Sequence, residues 1–130
     1  MAKTVLIVDD NKFVRVALCE FFAREADFEV CGEAENGKEA IEKAQQVHPD
    51  LIVLDFSMPV MNGMAAARVL KQLMPTVPLI MNTAFADKFA DYQARLIGIS
   101  EVVSKSEPVS VLIQKARRLL YKAAAVRAAS

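Results

Sequence analysis

The sequence predicts an α/β domain in which five strands form a doubly wound parallel sheet with helices on both faces. Three observations predict it. Short runs of apolar residues, long enough for strands and too short for helices, recur five times along the chain. Longer stretches with apolar residues at helical spacing separate them. Two of the runs, Val5 to Val8 and Leu51 to Leu54, are apolar without alternation, as suits strands covered on both faces. Strand and helix in strict alternation mean parallel pairing through right-handed crossovers.

Each element has its own signal. Val5 to Val8 is a buried strand that ends in Asp9-Asp10, and Asn11 can cap the helix that follows. The inward stripe of that helix reads Val14, Ala17, Leu18, Phe21 and Phe22. Phe28 to Ala34 is a second strand, more polar and therefore suited to a sheet edge. Glu35-Asn36-Gly37 turns the chain into a helix carried by Ala40, Ile41, Ala44 and Val47, which breaks at His48-Pro49-Asp50. Leu51 to Leu54 is the third strand, and Asp55 ends it. Beyond the Pro59 to Gly63 loop, Met64, Ala67, Leu70, Leu73 and Met74 mark a third helix, stopped by Pro75. Val77 to Met81 reads as the fourth strand and Phe85 to Ile97 as a fourth helix, with a weak stripe through Phe89, Tyr92 and Leu96. Gly98 closes that helix at a typical C′ position. Ile99 to Val103 is the fifth strand, followed by Ser104-Lys105-Ser106. Pro108 opens the last helix, whose stripe is Val109, Leu112, Ile113, Ala116, Leu119 and Leu120.

Composition bounds the function. The 130 residues fit one domain able to bury a core without disulfides or structural metal. Sixteen basic and sixteen acidic residues cancel, so no global charge favours nucleic acid or a membrane surface. Cys19 and Cys31 match no zinc or redox spacing and read as reduced, partly buried thiols. The apolar run after Met1 is too short for a signal peptide, and none approaches a membrane span, so a cytoplasmic location is expected.

Parallel strands place all their C-terminal ends on one edge of the sheet. Asp9, Asp10, Asp55, Thr83 and Lys105, with successive gaps of 45, 28 and 22 positions after Asp10, therefore converge on one cleft, where doubly wound sheets bind ligands. Three crowded carboxylates repel, and one must protonate unless a cation joins them. A hard dication such as magnesium together with the Lys105 ammonium balances their three charges. The set lacks a histidine or cysteine base. It suits a carboxylate nucleophile attacking phosphorus, with Lys105 neutralising phosphoryl oxygens and the Thr83 hydroxyl donating to one.

The ordered set Val5-Leu6-Ile7-Val8-Asp9-Asp10, Asp50-Leu51-Ile52-Val53-Leu54-Asp55, Met58-Pro59, Met61-Asn62-Gly63, Thr83-Ala84 and Lys105 resembles the receiver domain of two-component response regulators, over essentially the whole chain. The resemblance implies a flavodoxin-like sheet of order 2-1-3-4-5. It also implies that Asp55 takes a phosphoryl group from a sensor histidine kinase or phosphotransfer protein. Magnesium would be held by Asp10 and Asp55, by Asp9 largely through water, and by the backbone carbonyl at Ser57. Thr83 and Lys105 would bind the phosphoryl oxygens and switch a protein-interaction surface, with a homodimer as one outcome. Cys31 to Gly37 and the Lys105-Ser106 pair look like the branch that often carries a helix-turn-helix output domain. The expected receiver unit is 1–122, with an Ala-rich tail at 123–130, and direct contact with nucleic acid or membrane is not expected of this chain.

Departures from the family pattern carry their own expectations. Ser106 stands where many receivers have a cis-proline. Val102 stands where many have a Tyr or Phe whose ring moves with the threonine, so that half of the usual switch is absent. Phe85 and Ser57 flank the expected path of an attacking water, and a bulky Phe85 implies slow dephosphorylation. Three readings of different class follow: a phosphorylated receiver, a phosphatase of the haloacid dehalogenase type, and a receiver-like module working without phosphate. The phosphatase needs a second Asp two positions after the nucleophile, where Ser57 stands. The phosphate-independent module rests on Val102 and Ser106 alone. His48 reads as a solvated loop residue, and Met64 and Met74 as core gap fillers. Lys115, Arg117, Arg118, Lys122 and Arg127 read as a solvated basic face or as a contact for an acidic partner or for the chain itself.

Overall fold

The computed structural model describes residues 2–84 and 88–129. Ten elements follow in order: β1 (Lys3–Val8), α1 (Lys12–Ala23), β2 (Phe28–Ala34), α2 (Gly37–Val47), β3 (Leu51–Asp55), α3 (Gly63–Leu73), β4 (Leu79–Thr83), α4 (Lys88–Ile97), β5 (Glu101–Ser104) and α5 (Val109–Ala129). All strand pairs are parallel and the sheet order is β2-β1-β3-β4-β5, the order the resemblance implied.

The two-residue period of the strands sorts the core into two layers. Leu6, Val8, Ile52, Leu54, Leu79 and Met81 face α2, α3 and α4, where Ala40, Ala44, Ala66, Ala67, Leu70 and Ala94 allow close approach. Val5, Ile7, Leu51, Val53, Ile80 and Val103 face α1 and α5 and meet Leu18, Phe22, Leu112, Ile113, Ala116 and Leu120. Alternate residues of β1 and β3 thus serve opposite layers, which is why these strands are apolar throughout. At the edge, β2 takes a register shift against β1 between Val5 and Leu6, matching its more polar sequence. Asn11, Asn36 and Asn62 cap α1, α2 and α3 through their side-chain oxygens.

Several boundaries and faces differ from expectation. The fourth strand begins at Leu79 rather than Val77, because Pro78 has no N–H to give to a ladder and Val77 donates to the Met74 carbonyl in a turn. It runs on through Asn82 and Thr83, which are polar yet only 6% and 2% exposed. Both pair across the sheet, Asn82 with Asp55 and Thr83 with Ser104. The fifth strand begins at Glu101 rather than Ile99, whose N–H is taken by the Ala94 carbonyl around Gly98 at φ +99°. Phe21 and Leu73, assigned to core stripes, are exposed, and so are Tyr92 and Leu96. The buried face of α4 is Ala90 and Ala94: small residues fit where this helix lies close on the sheet. Phe85, at the expected start of that helix, lies outside the described residues, as does the Phe89 side chain.

Quieter expectations hold. His48 is exposed and ends α2 in the left-handed conformation. Met64 and Met74 are half-buried against the core, and Cys19 and Cys31 are free thiols. Burial, reinforced by Glu33, pushes Cys19 up to about 11. The basic face of α5 is partly spent internally, with Lys115 near Glu101 and Arg117 paired with Asp27 and Glu25. Its backbone stays helical through Ala129, so the Ala-rich tail continues α5. Among the described residues, no helix is long and apolar enough to cross a membrane.

Candidate functional site

The order of the sheet reverses at β1: β2, reached through α1, lies on one side of it, and β3, reached from β2 through α2, lies on the other. The crevice at this reversal opens at the strand C-termini. Asp9 and Asp10 follow the last residue of β1, and Asp55 is the last residue of β3. Asp9 is 1% exposed, Asp55 5%, and Asp10 lies open to solvent. Each offers a carboxylate oxygen, and the three oxygens lie within 4.8 Å of one another. Lys105, just past β5, brings its ammonium to 2.8 Å from Asp9 Oδ2 and 3.2 Å from Asp55 Oδ1.

The electrostatics follow from burial and crowding. Burial and the Asp9 carboxylate raise Asp55 to about 6, against the opposing pull of Lys105. Burial would lower Lys105, but the hydrogen bond and charge of Asp9 and the charge of Asp55 outweigh it and hold the ammonium above its ordinary value. Asp9 Oδ1 accepts the Asn11 N–H at 2.9 Å. Asp9 Oδ2 is buried, and the Lys105 ammonium at 2.8 Å is its charge partner. A buried carboxylate oxygen so placed, beside two more carboxylates, is the donor set that a hard, oxygen-seeking cation takes.

The loops hold these groups by short-range chemistry. Lys105 donates its backbone N–H to the Thr83 carbonyl at 2.7 Å, which ties the β5 end to the β4 end. Ser106, where a proline is common, closes a turn instead. Its N–H reaches Ser104 Oγ at 3.2 Å, the two hydroxyls meet at 2.7 Å, and Glu107 donates to the Ser104 carbonyl. Ser57 is exposed in the β3–α3 loop, two residues past Asp55. Gly63 folds that loop back by donating to the Phe56 carbonyl at 2.9 Å, and a Cβ there would collide with the Asp55 carbonyl. The predicted residues Asp9, Asp10, Asp55 and Lys105 thus meet. Thr83 sits on the same edge, buried.

A model of the response regulator receiver domain matches residues 5–117. The chain belongs to the response regulator receiver family. Over 118 residues the receiver is 34% identical to the response regulator protein VraR of Staphylococcus epidermidis, covering 91% of this chain and 56% of that protein. It is 38% identical over 104 residues to a protein-glutamate methylesterase/protein-glutamine glutaminase of Methanosarcina acetivorans, covering 78% of this chain and 30% of that one. The receiver therefore spans about half the length, or less, of these relatives. Among solved structures, the response regulator domain of Thermotoga maritima CheB superposes with a TM-score of 0.87 at 29% identity, over 93% of this chain and 98% of that one. A LuxR-family two-component response regulator from Aurantimonas agrees in fold, with a TM-score of 0.89 at 24% identity over 94% and 87% of the two chains.

Two features of the receiver escaped sequence reasoning. Asn82 lines the site edge, hidden because a polar residue after Met81 reads as loop. Beside Lys105, an apolar cavity of about 190 Å³ is walled by Val14, Leu18, Phe21, Val109 and Leu112. Nothing in a one-dimensional pattern predicts a gap between α1 and α5, since each stripe alone reads as core.

Proposed function

We propose that this receiver accepts a phosphoryl group on Asp55 from a phosphohistidine of a sensor kinase or phosphotransfer protein, and that the modification switches a protein-interaction surface. The observation that carries the reading is the Asp55 carboxylate, nearly buried at the end of β3, gathered with Asp9 and Asp10 and reached by Lys105 at 3.2 Å. In the reaction an Asp55 carboxylate oxygen attacks phosphorus. The bond from phosphorus to the donor imidazole nitrogen breaks, and its electron pair returns to that nitrogen. Lys105 neutralises charge on the phosphoryl oxygens, and the Thr83 hydroxyl donates to one of them. Asp9, Asp10, Asp55 and the Ser57 carbonyl are the groups that would hold magnesium, which supplies the charge balance that three carboxylates and a phosphoryl group require.

Once phosphorylated, Asp55 competes with Asp9 for the Lys105 ammonium, and the Lys105 N–H to Thr83 carbonyl bond links that shift to the adjoining ends of β4 and β5. Val102, half-buried against the layer packed by α3 and α4, has no ring to swing, so relay passes through the backbone and Thr83. We take 1–122 as the receiver unit, 123–130 as its Ala-rich helical extension, and the cytoplasm as its location. Phosphorylation-dependent self-association is one form the output takes, and contact with nucleic acid falls outside this unit.

Incubation with magnesium and acetyl phosphate, followed by intact mass measurement, tests the reading. A gain of one phosphoryl group that is absent from Asp55→Asn is the expected result. No adduct, with another receiver labelling in parallel, would leave only the phosphate-independent module.

A further inference from the structure

Arg15 lies in the second turn of α1, where a long cation ordinarily extends into water, yet its side chain is only 14% exposed. Its Nη1 donates to the Asp9 carbonyl at 2.8 Å, and its Nε donates to Glu33 Oε1 at 3.1 Å. We propose that Arg15 is a positioning residue for the acidic cluster, acting through the Asp9 carbonyl and aimed by Glu33 of the edge strand. The proposal rests on the phosphoacceptor reading.

The carbonyl in question belongs to the peptide that joins Asp9 to Asp10. Its plane sets the direction in which both carboxylates leave the backbone. On the other side, the Asp9 N–H donates to the Ala34 carbonyl at 3.0 Å, so β2 holds the Asp9 backbone directly and, through Glu33 and Arg15, indirectly. Three carboxylate oxygens within 4.8 Å repel, and rotation of this peptide would let them separate. The guanidinium opposes that rotation. Glu33 offsets its charge, so the contribution is one of geometry rather than of one more positive charge beside Lys105. Arginine suits the task because its Nε and Nη1 N–H groups sit on one rigid planar fork aimed at both partners; a lysine ammonium is a point charge on a flexible stem and fixes no such geometry.

Direct binding of Mn²⁺, read by electron paramagnetic resonance, tests this on the whole chain. Arg15→Ala and Arg15→Lys are expected to weaken Mn²⁺ binding about tenfold, whereas Glu33→Gln, which keeps an acceptor oxygen, changes it less than about threefold. Arg117→Ala, which breaks an ion pair remote from the cluster, serves as the control for general loss of stability and leaves Mn²⁺ affinity unchanged. Thermal unfolding of each variant fixes the folded fraction. With acetyl phosphate, the half-saturating Mn²⁺ concentration rises in the Arg15 variants while the rate at saturating Mn²⁺ is maintained.

Unchanged Mn²⁺ affinity in Arg15→Ala overturns the proposal, as does an equal loss in Arg117→Ala or a rate defect that persists at saturating metal. Failure of the wild-type chain to bind Mn²⁺ and accept phosphate overturns the phosphoacceptor reading along with it, a result separable from normal wild-type behaviour with an indifferent Arg15.

Discussion

Asp55 is ionised against its surroundings. Its folded value of about 6 stands above the ordinary 3.8, chiefly because of burial and then because of Asp9. A carboxylate raised by folding is penalised when charged. The penalty is full above about pH 6 and vanishes below about pH 4, where folded and unfolded chains are both protonated. Asp55→Asn is therefore expected to stabilise the metal-free protein by about 2 kcal/mol near neutral pH and by little at acid pH. Urea unfolding in a chelator at the two pH values measures it; an equal difference at both would show that the strain does not lie in this charge. The same repulsion is what an incoming cation relieves, so site chemistry and stability oppose each other at one side chain.

At the scale of the element, the β3–α3 loop decides how Asp55 is presented. Gly63 touches the Asp55 carbonyl so closely that Gly63→Ala must push the strand end away. That change is expected to cost about 1–3 kcal/mol and to slow phosphorylation of Asp55. Three residues earlier, Val60 holds φ +67° with its side chain 78% exposed, a left-handed conformation that a β-branched residue adopts only under strain. Val60→Gly is expected to raise stability by about 1 kcal/mol. Denaturant titration of both variants checks the opposite signs; two losses of similar size would mean that the loop tolerates no change at all.

At the scale of the whole molecule, α5 is tied by charge to the turn between α1 and β2. Arg117 on α5 pairs with Asp27 at 2.7 Å, reaches Glu25 at 3.4 Å and lies over the Phe28 ring at 5.7 Å. Its hydrogen bond is the main reason that Asp27 falls to about 2, with a further bond from Tyr121. A carboxylate lowered by folding adds stability above its unfolded value of about 4 and loses it as pH drops toward 2. Because the pair is partly solvated, the gain is expected to be about 1 kcal/mol or less. Comparing Asp27→Asn with the wild type across acid unfolding checks it, the two curves being expected to converge near pH 2.

The sequence by itself determined the alternation of elements, the Asn11 cap and the meeting of Asp9, Asp10, Asp55 and Lys105. These follow from apolar period, from side chains that bond their own backbone, and from the rule that parallel strands end on one edge. Only the tertiary structure decided that Asn82 and Thr83 belong to β4, that Ala90 and Ala94 rather than Tyr92 and Leu96 face the sheet, and that Arg15 reaches Asp9 while Glu33 aims it. Helical spacing names a stripe but not which edge of it meets a neighbour, and a polar residue in a strand stays buried only where other elements supply its partners. A contact made through a backbone carbonyl leaves no mark on residue type, so only the fold shows it.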